Sequence, residues 1–393
     1  MIETSNEGVT MSGPGDVLEL IRTGRALTRG DVLEITGLSR MTVSTRIDAL
    51  LEAGLIVENG TERPASGRPS RLLEFNSARA TVLTAAVDTT HTMVALTDLA
   101  GRLLAEERIE VAVADGPDRT LDEIAATARR VLVAAEIPLE RVAAIGISIP
   151  GPVDPDTGRP SQPPIMPGWD AYPIPDHLRD ALGVPVLVAN DADAAALGEQ
   201  RAAHADSRAL CFIKVSSGIG AGIVIGGRVY QGTDGGAGDI GHVKLAGHDD
   251  EVCQCGAHGC LAAVASGRAV ARALSAIGKN AESGSDVGAY LAAGDPDAAA
   301  LTRAAGRVIG EVVATLVSLL NPGEVVLGGM LASAPLLAGV RETLYPRSLP
   351  RATRHLTVSQ STLGEHAGIV GLATLVVERE YSAAAVNAAL SSS

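Results

Sequence analysis

The apolar positions of this chain change their period once, near residue 76. Before that point they recur at helical spacing. After it they fall into short runs rich in Val, Ile and Leu that alternate with amphipathic stretches. Gly15 to Arg22 reads as a short amphipathic helix. Thr28 N-caps a second predicted helix, Thr28 to Thr36, with Asp31 placed as in a capping box and Gly37 as the C′ residue. Ser39 caps a third, Ser39 to Ala53, in which Val43, Ile47, Leu50 and Leu51 share one face and Gly54 ends the run. L-I-V-E from Leu55 and R-L-L-E-F from Arg71 then predict two strands joined by a polar turn. Three helices followed by a two-stranded wing is the order of a winged helix-turn-helix, whose third helix enters the DNA major groove.

On that reading Ser39, Arg40, Thr42, Ser44, Thr45 and Arg46 make up the DNA-facing side of the third helix, since small polar and Arg side chains suit base edges. Arg68 stands at the wing tip in S-G-R-P, where it can lie in a narrow minor groove. Charge alone does not decide for DNA: positions 1–76 hold eight Arg, no Lys and eleven Asp or Glu, a net of −3. Arg40, Arg46, Arg63, Arg68 and Arg71 nevertheless gather on the third helix and wing. The competing reading is a packing module that binds protein. A single reader per chain grips DNA weakly, so a homodimer spanning two half-sites is expected, with a homotetramer as the larger alternative.

From Ala80 onward T-V-L-T-A-A-V-D, M-V-A-L-T-D and R-L-L-A-E-E-R-I-E-V predict three successive strands. A helix over Leu121 to Ala135, a strand A-A-I-G-I-S-I-P, a strand P-V-L-V-A-N-D and a helix from about Ala192 follow. K-V-S-S-G-I-G-A-G-I-V-I, Lys214 to Ile225, is a strand, a Gly-rich turn and a second strand. Its turn lets backbone N–H groups approach a phosphate or another chain. The order predicts an α/β protein with two lobes.

The chain has 393 residues, enough for two or three domains, and 46% are hydrophobic with only 2% aromatic, so Ala, Val and Leu must fill the core. The formal charge of −14 argues against a non-specific grip on nucleic acid by the whole molecule. No uncharged apolar run reaches the length of a membrane span, and no basic-then-apolar leader opens the sequence, so a soluble cytoplasmic protein is expected. The Ala- and Ser-rich residues after Tyr381 are expected to fray.

Three of the four Cys fall in one Gly-rich stretch, G-H-V-K-L-A-G-H-D-D-E-V-C-Q-C-G-A-H-G-C, residues 241–260. His242, Cys253, Cys255 and Cys260 offer the four N/S ligands that a structural Zn²⁺ prefers, with His258 as the alternative to His242. Cys211, in A-L-C-F-I-K-V, reads as a buried strand residue without chemistry.

These segments carry a resemblance. The Gly-rich turn after Val215, Gly232, Gly238, the G-H of the metal loop, P-G-P-V-D at 150–154, P-G-W at 167–169 and N-D-A-D at 190–193 resemble the ROK family of repressors, uncharacterised reading frames and sugar kinases. The resemblance implies a winged helix-turn-helix over 1–76 and a two-lobed, actin-like, sugar-kinase-like ATPase domain over 77–393. Its lobes would be about 77–190, joined by the C-terminal helix, and about 191–365. It also implies that Asp191 stands where a kinase of the family has its general base, that Asn190 and Asp239 meet sugar hydroxyls, and that His242 both ligates zinc and contacts sugar.

Three positions depart from the family's kinases. The phosphate loop D-x-G-G-T reads Asp88-Thr89-Thr90-His91-Thr92, which puts β-carbons on Thr90 and His91 where the family has glycines. G-C-L-E ends in Ala262, removing a hydroxyl acceptor, and G-E-x-G-H has Asp239 for Glu. Gly328 and Gly329, in N-P-G-E-V-V-L-G-G-M, read as inherited architecture of the nucleotide wall. The expectation is therefore a zinc-containing transcriptional regulator without kinase activity, a repressor of carbohydrate-related genes that binds double-stranded operator DNA. Its degenerate kinase domain senses a sugar or sugar derivative. The rival reading is an ATP-dependent sugar kinase with an accessory DNA-binding domain, and the third a regulator that needs no ligand.

Overall fold

The computed structural model describes residues 13–62 and 70–391, so Arg63 and the wing-tip Arg68 lie outside the described residues. Helices α1 (Pro14–Arg22), α2 (Arg29–Thr36) and α3 (Arg40–Glu52) precede the antiparallel pair β1 (Ile56–Glu62) and β2 (Ser70–Phe75). The local signals act as read. The Thr28 hydroxyl accepts from the Asp31 N–H while the Asp31 carboxylate accepts from the Thr28 N–H at 2.9 Å. Gly37 closes α2 at φ 66°, a left-handed position that favours glycine. The Ser39 hydroxyl accepts from the Thr42 N–H at 3.1 Å. Val17, Leu18, Ile21, Val32, Val43, Ile47 and Leu50 pack with Ile56 and Leu73 into one small core.

The rest of the chain builds two five-stranded sheets of identical plan. The first comprises β3 (Thr81–Val87), β4 (Thr92–Asp98), β5 (Leu103–Ile109), β6 (Val142–Ile149) and β7 (Val186–Asn190) in the order β5-β4-β3-β6-β7. The second comprises β8 (Ala209–Val215), β9 (Ile219–Ile225), β10 (Arg228–Val229), β11 (Glu324–Gly328) and β12 (Thr357–Gln360) in the order β10-β9-β8-β11-β12. In each, the first three strands form an antiparallel meander and the last two add in parallel. The inner parallel strand β6 is buried on both faces, which is why it reads as a near-continuous apolar run, whereas the edge strands β7 and β12 are only half-buried. Helices α4 (Pro117–Ala134) and α5 (Ile174–Leu182) cover the first sheet around the buried Trp169, whose indole N–H donates to the Val113 carbonyl at 2.9 Å.

Helix α6 (Asp191–Ala203) leaves the edge strand β7 and crosses to the second sheet. Around that sheet lie α7 (Leu261–Ala265), α8 (Gly267–Ala276), α9 (Gly284–Ala292), α10 (Pro296–Leu320), α11 (Ala334–Arg347) and α12 (Pro350–Thr353). Helix α13 (His366–Glu380) returns to the first sheet, packing on Val82 and Ala144, and α14 (Ala383–Ser391) ends the described chain. Helices α6 and α13 cross at contact distance: a β-carbon on Gly371 would lie 1.7 Å from the Ala194 carbonyl oxygen. Buried Glu199 of α6 also accepts from the Ser361 and Thr362 hydroxyls and the Leu363 N–H, tying the helix to the loop after β12.

The expected fraying after Tyr381 is corrected. Residues Ala383–Ser391 form α14, whose Val386 is buried in the winged-helix core beside partly buried Leu390. The Gly15 N–H donates to the Asn387 side-chain oxygen at 2.7 Å, and Phe75 of β2 meets Tyr381 edge-on with ring centroids 5.7 Å apart. Small Ala and Ser side chains on α14 let it lie close to α1, where a larger residue on Gly15 would strike the Ala383 backbone.

Candidate functional site

A cavity of about 660 Å³ opens between the two sheets, lined by Asp88, Asn190, Asp191, Lys214, Asp239, His242, Ala262 and Arg268. Its size suits a small polar ligand. Asn190, the last residue of β7, is the N-cap of α6: its side-chain oxygen accepts from the Ala192 and Asp193 N–H groups and its amide donates to the Gly151 carbonyl at 3.0 Å. The cap thus falls to Asn190, and Asp191 is the first helical residue, where its charge also suits the helix dipole.

Sequence reasoning missed the group at the centre of the cleft. The Lys214 ammonium on β8 donates to Asp88 at 2.9 Å and to Asp191 at 2.6 Å, and all three side chains are nearly buried. Lys214 belongs to the second sheet and Asp88 follows β3 of the first, so one cation ties both halves together. Burial raises the Asp88 pKa, but Lys214 outweighs it and holds the group at about 2. One ammonium cannot fully compensate two buried carboxylates. Asp191 is the one left short, and burial holds its pKa above the ordinary value against the pull of Lys214. Desolvation opposes the Lys214 charge, yet the two carboxylates keep its pKa raised. The Thr89 and Ser217 hydroxyls, 2.8 Å apart, add a second link across the cleft.

The same three side chains partition the cleft. A second cavity of about 280 Å³, lined by Asp88, His91, Asp191, Lys214, Gly329 and Met330, lies on their far side. His91 is buried there, its Nε2 3.7 Å from Glu365, and its carbonyl accepts from the Asp88 N–H at 2.8 Å, closing residues 88–91 into a tight hairpin turn.

Asp193 is buried with one carboxylate oxygen that meets no hydrogen-bond partner among the described residues. Burial, and then the charge of Asp191, push its pKa up to about 8. The folded state therefore holds a proton that the unfolded chain releases near its ordinary 3.8, so stability falls as pH rises from about 4 to about 8. Asp193→Asn is expected to remove that slope, at most about 1.4 kcal/mol per pH unit. The check is the unfolding midpoint followed across that range.

His242, Cys253, Cys255 and Cys260 converge at the cavity edge, with one ligand atom from each lying within 4.8 Å of all the others. Cys253 Sγ is 3.7 Å from His242 Nδ1, and Cys255 Sγ is 3.8 Å from Cys260 Sγ. Two sulfurs each about 2.3 Å from a tetrahedral ion stand about 3.8 Å apart, so this donor set fits a metal of zinc's size. His258 instead faces the Asp249 carbonyl at 3.0 Å. Cys211 is buried in β8, and burial pushes its thiol up to about 12, leaving it inert. Asp239 is half exposed, 3.8 Å from the His242 ring.

On the DNA-reading helix the residues separate. Arg40, Met41 and Thr45 are exposed, whereas Arg46 is half-buried. Ser39 and Thr42 bond to each other at 2.9 Å in the cap, and Ser44 joins a network with Arg29 and Asp48. Arg71 pairs with Glu58 at 2.9 Å. Met41, which stands between Arg40 and Thr42 in the run read as DNA-facing, is 80% exposed at the start of α3. It lies off the buried stripe of Val43, Ile47 and Leu50.

A winged helix joined to two topologically matched lobes around a polar cleft defines a DNA-binding protein built on a sugar-kinase-like body. The comparisons agree: the ROK family profile matches residues 84–379 and a winged helix-turn-helix DNA-binding profile matches 16–57. The chain belongs to the ROK family, as a DNA-binding transcriptional regulator. It is 26% identical over 381 residues to the xylose repressor of Caldicellulosiruptor bescii, covering 92% of this chain and 94% of that one. The crystal structure of a ROK transcriptional regulator homologous to the Escherichia coli Mlc protein superposes with a TM-score of 0.78 at 28% identity, covering 97% and 98% of the two chains. A ROK glucokinase from Streptomyces griseus, solved with glucose and AMPPNP, matches with a TM-score of 0.66 at 28% identity over 75% of this chain and 99% of its own. Among the described residues no helix is long and apolar enough to cross a membrane.

Proposed function

We propose that the protein is a repressor of carbohydrate-related genes in which the kinase-like body binds a sugar without phosphorylating it. Residues 1–76 serve as the operator reader, in a dimer or tetramer, and 77–393 as the sensing body. Lys214 carries the non-catalytic part of this reading. A base that must take a proton from a sugar hydroxyl needs its charge unshared, and Asp191 gives one oxygen to the Lys214 ammonium and the other to the Ala192 N–H, leaving only its remaining lone pairs to a hydroxyl. A hydroxyl can still bond to it, so binding survives where activation is lost. Zinc, held by His242, Cys253, Cys255 and Cys260, would fix the cavity floor and stay outside any chemistry.

A route for the response runs through packed elements. Asn190 and Asp191 start α6, α6 crosses α13 at Gly371, and α13 leads through Tyr381 into α14 beneath the reader. Sugar binding that resets α6 would change the spacing of two readers in a dimer and lower operator affinity.

The test is fluorescence anisotropy on genomic fragments selected by the purified protein. Arg40→Ala is expected to weaken specific binding by about 1–3 kcal/mol if it meets a base edge, and a hexose or pentose to release the DNA. Sugar phosphorylation with MgATP at about 1 s⁻¹ or faster would replace this reading with the kinase.

A further inference from the structure

We infer that the cleft takes an oligosaccharide, with one sugar ring at the inner end of the cavity and a second at its mouth, and that Gln162 and Ala262 select for the second ring. The inference rests on the sugar-cleft reading above and names the class of ligand.

The cavity has two unlike ends. At the inner end Asp191 and Lys214 are nearly buried and bonded to each other, and Asn190 caps α6. At the mouth Gln162, Val252 and Gln254 line the same cavity and are exposed. The volume of about 660 Å³ lies well inside the range that holds drug-sized ligands. A single ring among Asn190, Asp191, Asp239 and His242 therefore leaves the mouth unfilled.

The floor between the two ends makes room for a larger ligand. Cys260 is the N-cap of α7; Leu261 turns into the core of the second lobe, while Ala262 and Ala263 line the cavity. Neither alanine carries a side-chain polar atom or reaches past its β-carbon. Nothing on this stretch gives a single ring a side-chain hydrogen bond, and nothing on it blocks a substituent that passes over. Val252, 63% exposed, extends the apolar surface outward, and the C–H face of a sugar ring can lie on it.

Gln162 belongs to the first lobe. Its φ is 45°, a left-handed backbone that a residue with a β-carbon adopts only where its surroundings impose it. The loop does so here. The Gln162 N–H donates to the Asp170 carboxylate at 2.7 Å, and Pro163 packs so close to Gly151 that a β-carbon there would lie 2.9 Å from it. The Gly151 carbonyl in turn accepts from the Asn190 amide, so the loop is tied to the inner end of the cavity. The side-chain amides of Gln162 and, on the second lobe, of Gln254 meet no hydrogen-bond partner among the described residues. An amide both donates and accepts, as a sugar hydroxyl does, and carries no charge. Two such groups at the mouth favour a second sugar ring over an apolar substituent.

Calorimetric titration of the full-length, metal-loaded protein tests this with matched sets: glucose with cellobiose, maltose and phenyl β-glucoside, galactose with lactose, and xylose with xylobiose. At least one disaccharide should bind about tenfold or more tightly than its own monosaccharides. Gln162→Ala should remove that preference, with metal content, unfolding midpoint and monosaccharide affinity as in the wild type. Ala262→Leu, which fills the floor, should weaken the disaccharide more than the monosaccharide. Monosaccharides that bind as tightly as every disaccharide overturn the inference and leave the sugar cleft standing. A phenyl glucoside tighter than every disaccharide overturns it in favour of an apolar substituent. A disaccharide preference untouched by both variants overturns the roles of Gln162 and Ala262. Failure of every sugar to bind overturns both the inference and the reading it rests on.

Discussion

Lys214→Met is expected to destabilise the protein by about 3–5 kcal/mol at pH 8, the cost of leaving buried charges without their partner. The substitution keeps the bulk of the side chain and removes only the ammonium that Asp88 and Asp191 share. The loss should shrink toward pH 5. Without the cation both carboxylates rise in pKa, so the folded variant takes up a proton that the unfolded chain binds only at lower pH, and stability returns as pH falls. Mg²⁺ should also restore part of the loss, since two facing carboxylates offer the hard oxygens it prefers. Denaturant unfolding at both pH values, with and without Mg²⁺, is the measurement. The triple variant Asp88→Asn, Lys214→Met, Asp191→Asn should regain most of the stability, because it buries no net charge. A Lys214→Met protein as stable as the wild type at pH 8 would remove the ammonium from the centre of the account.

Cys255→Ser should cost the metal altogether. Purified wild type is expected to contain about one zinc per chain and the variant close to none, as read by elemental mass spectrometry. Structural zinc contributes about 10–16 kcal/mol of apparent binding free energy in small zinc-finger peptides. Here the effect should centre on the cavity floor, because the cavity-lining Ala262 and Ala263 come two and three residues after the candidate ligand Cys260. Sugar response should therefore fail before operator binding, whose core lies around Val43 and Ile47. A metal-free wild type with an unchanged unfolding midpoint would end the zinc assignment.

What the sequence made legible follows from range. The Thr28–Asp31 box, the Ser39 cap and the Gly37 stop each act within a few residues, and all operate as read. The candidate metal ligands span fewer than twenty residues of one loop and converge in the fold, so their spacing alone suggests the cluster. Lys214 was invisible as a functional group. It looked like the polar end of an apolar strand, and its partners are 126 and 23 residues away, brought to it only by the strand order of two sheets. The third helix was expected over Ser39 to Ala53 and forms over Arg40–Glu52, but which of its side chains stay exposed depended on neighbours such as Arg29 and Asp48. The α14 segment misled for a different reason. Ala and Ser give little amphipathic contrast, and its partner is the first helix of the chain.

That last pairing has a consequence for synthesis. Gly15 and Asn387 are 372 residues apart. At elongation rates of about 5–20 residues per second, roughly 20 to 75 s pass between the emergence of α1 and that of the helix that covers it. The core around Val43 and Ile47 lacks Val386 and Leu390 during that interval. A chain cut short by a nonsense codon would carry α1, α2 and α3 but lack Val386 and Leu390. Such fragments should be poor competitors for the operator, and truncating alleles of this gene should behave as recessive.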